Sequence, residues 1–411
     1  MDVNAVYKPD CNGGIFPGMR VLALNCGSSS VKSALIDTAT GRRLQTVRVE
    51  NIASEHVRLQ IGEIVLELDP GADLPAAVER VLAEYRRDWN ESTQPAAVAH
   101  RIVHGGDRFQ NPTLIDDAVL GEIEQLNSLA PLHNPPGIAA VRQARSALPD
   151  IPHVAVFDTA FHALLPDHVR EYALPADVRR RFGVRRYGFH GINHSHVASS
   201  VAAHLRVDVR ALRIISCHLG NGASVTAIQN GCSVETSMGM TPLEGLVMGT
   251  RAGDVDPGVL LHLQRSGAFD VEQLDELLNK RSGLKGLTGE NDLRAIETRA
   301  HAGDEDCRRA IAIYVHRIRK YIGAYAVAMG GVDVIAFTGG VGENSSLIRQ
   351  RCVERLKFLN VFLDEGRNSS VKLSDSQPVA KISTDASRVQ LLAVRADEEL
   401  EIARQSAAAL G

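Results

Sequence analysis

Arg251 stands in Gly249-Thr250-Arg251, between the apolar residues Leu243, Leu246, Val247 and Met248 and an acidic, glycine-bearing turn, Gly253 to Gly258. An arginine so placed can grip a carboxylate or phosphate through two parallel N–H bonds, or it can be a solvated loop residue. Upstream, Gly220-Asn221-Gly222 separates two β-prone runs, Ile214 to His218 and Ser224 to Ile228. Such a turn presents backbone N–H groups that, beside Asn221 and Ser224, suit anionic oxygens; the same pattern also describes an ordinary hairpin. Asp158 follows the apolar run Val154 to Phe157. That position serves equally well for a metal ligand or base and for a helix N-cap. Tyr187-Gly188-Phe189-His190-Gly191 sets a histidine between glycines, with His194, His196 and His204 nearby. No cysteine or carboxylate completes a zinc spacing there, so zinc is excluded.

Positioning these groups needs strands that end together. Val21 to Leu24 and Val31 to Ile36 flank Asn25-Cys26-Gly27-Ser28-Ser29-Ser30, with Lys32 on the second strand, which repeats the strand, small-residue turn, strand order roughly 190 residues before Ile214 to Ile228. Two such turns predict a duplicated βββαβαβα unit facing itself across a cleft. Ala96 to Val103 reads as a strand carrying His100 and Arg101, and Pro131 to Pro136 as a rigid entry to the helical run Ile138 to Ala147. Residues 76 to 90 and 308 to 329 have helical spacing, Gly330-Gly331 stopping the second. Ser282 to Gly289 reads as a small-residue loop ahead of Asp292 and Arg294. A strand from Val332 to Thr338 runs into the glycine loop Gly339-Gly340-Val341-Gly342-Glu343-Asn344. That loop approximates a dinucleotide fingerprint but has Ser345 at the third glycine; a mononucleotide with phosphates at the two earlier turns accounts for all three loops.

The chain has 411 residues, enough for two domains, with 44% hydrophobic but only 4% aromatic residues, so its core is mainly aliphatic. A net charge of -4 leaves no basic footprint for nucleic acid. No apolar run approaches the roughly 20 residues that span a bilayer, and the first residues lack a signal-peptide core. Six cysteines scattered singly fit a reducing, cytoplasmic setting. Residues 1–18 read as an N-terminal extension, flexible and outside the fold.

The stretches NCGSSSVK, HRIVHGG, PLHNPPG, VFDTAFH, RRYGFHG, CHLGNGAS, TSMGMTPLEGLVMGTRAGDVDPG, FTGGVGEN and DEELEIAR, in order from about Met19 to Arg404, closely resemble the acetate kinase (acetokinase) family. The resemblance implies an α/β fold of two duplicated actin-like (RNase H-like) domains with an interdomain active-site cleft. Residues 19–165 plus about 400–411 would form the N-terminal domain and 166–399 the C-terminal, nucleotide-carrying one. It implies Mg²⁺-dependent, reversible transfer of the γ-phosphoryl group of ATP to acetate, with Mn²⁺ as a substitute metal, in a homodimer without nucleic acid or membrane partners.

On the family pattern Arg101 and Arg251 orient the carboxylate and stabilise the transferring phosphoryl group, His190 hydrogen-bonds to it, and His133 assists. Asp158 and Glu399, with Asn25 nearby, would hold the metal. Ser28, Ser30 and Lys32 line one phosphate wall and His218, Asn221 and Gly222 the other, while Asp292, Arg294, Gly340 and Asn344 meet adenosine. Val103, Leu132, Phe189 and Pro242 would form the acetate pocket. A propionate or butyrate kinase is the alternative, decided at Val103; a non-catalytic actin-like ATP-binding module is disfavoured because the acid-handling residues are all present. Ile192, Asn193, Ala252, Gly339 and Asp397 depart from the usual family residues.

Overall fold

Arg20–Cys26 (β1) is buried from Val21 onward, as a strand covered on both faces must be. In the computed structural model, which describes residues 18–90, 93–131 and 133–411, β1 lies near the middle of an eight-stranded sheet. The expected extension, apart from Gly18, therefore lies outside the described residues, as does Leu132.

The other strands of this sheet are β2 (Ser30–Asp37), β3 (Arg43–Glu50), β4 (Arg58–Ile61), β5 (Ile64–Glu67), β6 (Ala97–Ile102), β7 (Thr113–Leu114) and β8 (His153–Phe157), in the order β5-β4-β3-β2-β1-β6-β8-β7. A second sheet contains β9 (Arg213–Leu219), β10 (Ala223–Gln229), β11 (Cys232–Thr236), β12 (Val334–Thr338), β13 (Val379–Lys381) and β14 (Gln390–Val394), in the order β11-β10-β9-β12-β14-β13. β3-β2-β1-β6-β8 and β11-β10-β9-β12-β14 share order and sense: two antiparallel pairings, then two parallel ones. The duplication expected from the two turns is thus present in the backbone.

The chain divides into two compact units. The first holds the described residues to Ala163, Gly191–His196 and Asp397–Gly411; the second holds Leu164–His190 and Val197–Ala396. In the first, Leu22, Leu24, Val47, Val78, Leu82 and Tyr85 form a core on one sheet face. Val21, Ala23, Ala99, Val154, Val156, Ile192, Ile402 and Ala403 form one on the other. Ile402 and Ala403 come from the last helix, Glu398–Leu410, whose N-cap Asp397 accepts from the Leu400 N–H. The expected domain break near residue 400 thus falls before this helix, at Asp397.

Two local expectations are corrected. Ser282 to Gly289 is not a loop: Gly283–Thr288 is a short helix ended by Gly289 at φ 77°, small residues being no bar to one turn held from both sides. Likewise Gly339–Asn344 is helical, entered through Gly339 at φ 78°, where an added Cβ would meet the Leu219 carbonyl. Glycine therefore suits this position.

Candidate active site

In the first unit, chemistry gathers where parallel strands end. Leu24 pairs with His100, and Arg101 and Ile102 pair with Val156 and Phe157, so Asn25, Arg101 and Asp158 emerge at neighbouring strand ends. The Arg101 Nε donates to Asp158 Oδ2 at 3.0 Å, and a second guanidinium nitrogen donates to the same oxygen. The remaining nitrogen donates to Asn25 Oδ1 at 3.1 Å, and Asn25 Nδ2 donates to Glu398 Oε2 at 2.8 Å. Asp158 is 1% exposed, and its Oδ1 accepts no hydrogen bond of good geometry among the described residues. Burial pushes its carboxyl pKa up, Arg101 opposes that shift, and Glu398 adds to it. An orphaned, buried, anion-prone oxygen beside two further oxygen-bearing side chains is the donor set that a hard divalent cation takes.

Of the paired glutamates, it is Glu398 that touches Asn25; Glu399, the expected metal ligand, lies 3.8 Å from Arg43 and under the influence of Lys32. Burial, then Glu398 and Asp397, raise the Glu399 pKa. Adjacent helical positions point about 100° apart, so the two glutamates meet different neighbours. Among the described residues no group of three or more His, Cys, Asp or Glu is poised for a metal. Mg²⁺ needs none: it commonly uses one or two carboxylates, waters and substrate phosphate oxygens.

Flanking motifs are tied together. The Gly105 N–H donates to Thr159 Oγ1, and Asn134 exchanges two hydrogen bonds with the His104 backbone, joining HRIVHGG, VFDTAFH and PLHNPPG. Val103 and His133 are half-buried at the ends of these segments. Ser28 and Lys32 are exposed and Ser30 is partly so, the turn closing through Gly27 N–H to Ser30 O at 2.8 Å. Gly191 donates its N–H to the Asp158 carbonyl, with no room for a Cβ. Ile192 joins the aliphatic core, which gives this departure a packing role.

In the second unit, Gly220-Asn221-Gly222 is a hairpin turn between β9 and β10, so the hairpin alternative is realised. It also has a tight surrounding. A Cβ on Gly222 would lie 3.4 Å from His190 Nε2 and 3.5 Å from an Arg251 nitrogen, so these three residues share one place. His190 adopts φ 57°, its Nδ1 lies 2.9 Å from Ser224 Oγ, and its ring stacks on His218 with centroids 4.3 Å apart. Arg251 donates to the Pro242 carbonyl at 3.2 Å and approaches Met248 Sδ at 3.8 Å. No carboxylate among the described residues pairs with it, and burial lowers its pKa. A half-buried guanidinium held by a carbonyl and a thioether is a cation with no carboxylate partner among the described residues. The solvated-loop alternative fails.

The expected nucleotide residues fall into local sets. Asp292 caps the helix Leu293–His301 and pairs with the exposed Arg294, while the adjoining Asn291 donates to Asn221 Oδ1 at 3.4 Å. Asn344 Nδ2 donates to the Gly340 carbonyl at 2.8 Å. Ser345 Oγ donates to Glu297 at 2.5 Å, tying this helix to that of Arg294. Arg349, unnoticed in the sequence, is buried; it donates to the Gly342 and Glu343 carbonyls at the end of the Gly339–Asn344 helix. Burial lowers its pKa to about 10. Phe189 is buried.

A five-strand core repeated in order and sense defines an α/β protein of the duplicated, actin-like class. The chain belongs to the acetokinase family, whose model matches residues 20–404. It is 47% identical over 394 residues to the acetate kinase of Streptomyces coelicolor, covering 94% of this chain and 96% of that one. The solved acetate kinase of Porphyromonas gingivalis superposes with a TM-score of 0.86 at 41% identity, over 96% of this chain and 100% of the other. A propionate kinase from Francisella tularensis superposes with a TM-score of 0.87 at 37% identity, over 94% and 98%. No described helix is long and apolar enough to cross a membrane.

Proposed function

We propose that the chain catalyses the reversible, direct in-line transfer of the γ-phosphoryl group of ATP to acetate, giving acetyl phosphate and ADP. The observation that carries this is Arg251, a cation without a carboxylate partner beside His190 and Gly222. Acetate, with a carboxyl pKa near 4, is already the nucleophilic anion at neutral pH, so no strong base is required. The barrier is the approach of one anion to another, and it falls when cations neutralise the equatorial phosphoryl oxygens. Arg251 and Arg101 supply that charge. His190, with Nδ1 engaged by Ser224, offers Nε2 on the Gly222 side as a donor to the transferring group.

Asp158, Asn25 and Glu398 would hold Mg²⁺, or Mn²⁺ in its place, and Glu399 supports them through its charge. Bound there, the metal would supply charge neutralisation for the phosphates. Ser28, Ser30, Lys32, His218, Asn221 and Gly222 receive phosphates, and Asp292, Arg294, Gly340 and Asn344 receive adenosine. Val103, Leu132, Phe189 and Pro242 enclose the methyl group, and His133 supports the acid end. The enzyme works as a cytoplasmic homodimer in this reading. Cysteines that are mostly buried and form no disulfide among the described residues suit a reducing compartment, and Val255, Val259, Leu261 and Val271 expose apolar surface on the second unit.

The likeness to a propionate kinase favours one second reading, that a longer acid is preferred. Hydroxylamine trapping of acyl phosphate with ATP, Mg²⁺ and each of acetate, propionate and butyrate tests both. Acetyl hydroxamate should dominate; none from any acid refutes the kinase reading, and a preference for propionate refutes acetate.

A further inference from the structure

His190 and Arg251 belong to different segments of the second unit, 61 positions apart by their numbers (251 minus 190). Their shared place beside Gly222 requires something to fix the two segments. The Arg186 to His190 segment carries the histidine; the loop from Ser237 to Gly245 carries Pro242, whose carbonyl receives Arg251.

Three side chains outside every assigned role join these segments. Arg186 donates to Glu244 Oε1 at 2.6 Å and to the Thr236 and Met238 carbonyls at 3.1 Å each. Tyr172 donates its hydroxyl hydrogen to Glu244 Oε2, and the Tyr172 hydroxyl oxygen accepts from the Met240 N–H at 3.0 Å. The Arg186 guanidinium also lies over the Tyr172 ring, 5.5 Å from its centroid. Gly239 is enclosed between them. Its carbonyl accepts from the Tyr187 and Gly188 N–H groups at 3.0 and 3.1 Å, and a Cβ there would run into Glu244 and the Tyr172 hydroxyl. The ion pair is largely shielded, the side chains being 15% and 32% exposed, so it is stronger than a surface pair and sensitive to loss of either partner. The far end of the loop is fixed separately, Gly245 donating to Asp254 at 2.8 Å and Arg317 to the Gly245 carbonyl at 2.8 Å.

We propose that Arg186, Glu244 and Tyr172 form a positioning triad for phosphoryl transfer, holding the Pro242 loop, and through it Arg251, at a fixed spacing from His190. None of the three needs to touch substrate. The proposal rests on the kinase reading above, because spacing matters only if Arg251 and His190 act on one transferring phosphoryl group. Misplacement of such groups by about 1 Å costs on the order of 10²-fold in rate.

The test uses the full chain with Glu244→Gln, which removes the charge at constant shape, and Tyr172→Phe, which removes only the hydroxyl. Glu244→Gln should lower kcat on the order of 10²-fold with the KM for ATP within about threefold of wild type. Tyr172→Phe should lower kcat on the order of tenfold. In an Arg251→Ala background Glu244→Gln should cost little more, since its effect passes through Arg251. The His190 ring NMR signals, assigned with His190→Gln, should shift in Glu244→Gln without any substrate. A folded Glu244→Gln with kcat within twofold of wild type, additive losses with Arg251→Ala, or unmoved His190 signals would each overturn the triad. If Glu244→Gln does not fold, Tyr172→Phe decides by the same readouts. A wild-type chain yielding no acyl hydroxamate refutes the kinase reading instead, and the His190 signals still decide whether the three side chains hold the His190 segment in place.

Discussion

Arg101 and Arg251 are half-buried guanidinium groups in units of matching strand order, yet their surroundings are opposite. Arg101 is paired: Asp158 takes two of its donors and Asn25 a third. Arg251 meets a backbone carbonyl and a sulfur atom. The first arrangement holds an arginine still and gathers negative charge beside it, in Asp158 and Glu398, which the proposed function uses for a divalent cation. The second leaves positive charge without a carboxylate partner among the described residues, which the proposed function uses for the transferred phosphoryl group. The repeated backbone places Arg101 at a strand end, whereas Arg251 comes from the segment between the strand Cys232–Thr236 and the helix Pro257–Arg265, so the same strand order carries oppositely compensated arginines.

If Arg251 is the unneutralised cation, Arg251→Ala should lower turnover on the order of 10³-fold while ATP affinity stays within a few-fold. Near-normal turnover in a coupled assay would erase the contrast between the two arginines. Asp158→Asn should cost on the order of 10²-fold and, by leaving Arg101 without its ion pair, about 3 kcal/mol of stability in urea unfolding. An unchanged unfolding midpoint would mean that the pair does not fix Arg101. Glu398→Gln should raise the Mg²⁺ concentration for half-maximal rate about thirtyfold, and Glu399→Gln less than about threefold. The reverse order in a metal titration would return the role to Glu399. Smallest, Val103→Ala should shift the propionate-to-acetate ratio of kcat/KM about tenfold toward propionate, the lower end for one methylene. No shift in competing-substrate assays would remove Val103 from the acid pocket.

Much of the site was legible because its groups sit in short motifs. Asp158 after an apolar strand, His190 between glycines and Gly220-Asn221-Gly222 before a strand are local patterns, and local backbone rules carry them. Arg251 was legible as a candidate only; its lack of a carboxylate partner depends on what folds around it. The strands β3 to β5 left little signal, since Ile64–Glu67 is exposed along its length and lacks the alternation of a half-buried strand. The Arg186–Glu244 pair spans 58 residues and belongs to no local pattern. The helix Gly339–Asn344 reads as loop because glycine-rich residues have low helix propensity, which Arg349 offsets by binding carbonyls at its C-terminal end.

By itself, the sequence determined the duplicated strand-turn-strand pattern, the aliphatic core and the identity of the charged groups at the strand ends. These follow from side-chain period, turn chemistry and residue type, all of which act over a few residues. Tertiary structure decided which charges are neutralised, which of two adjacent glutamates meets Asn25, and how the His190 and Arg251 segments are held to each other. Those outcomes depend on groups far apart in the chain, whose interaction energies exist only once folding has removed the water between them.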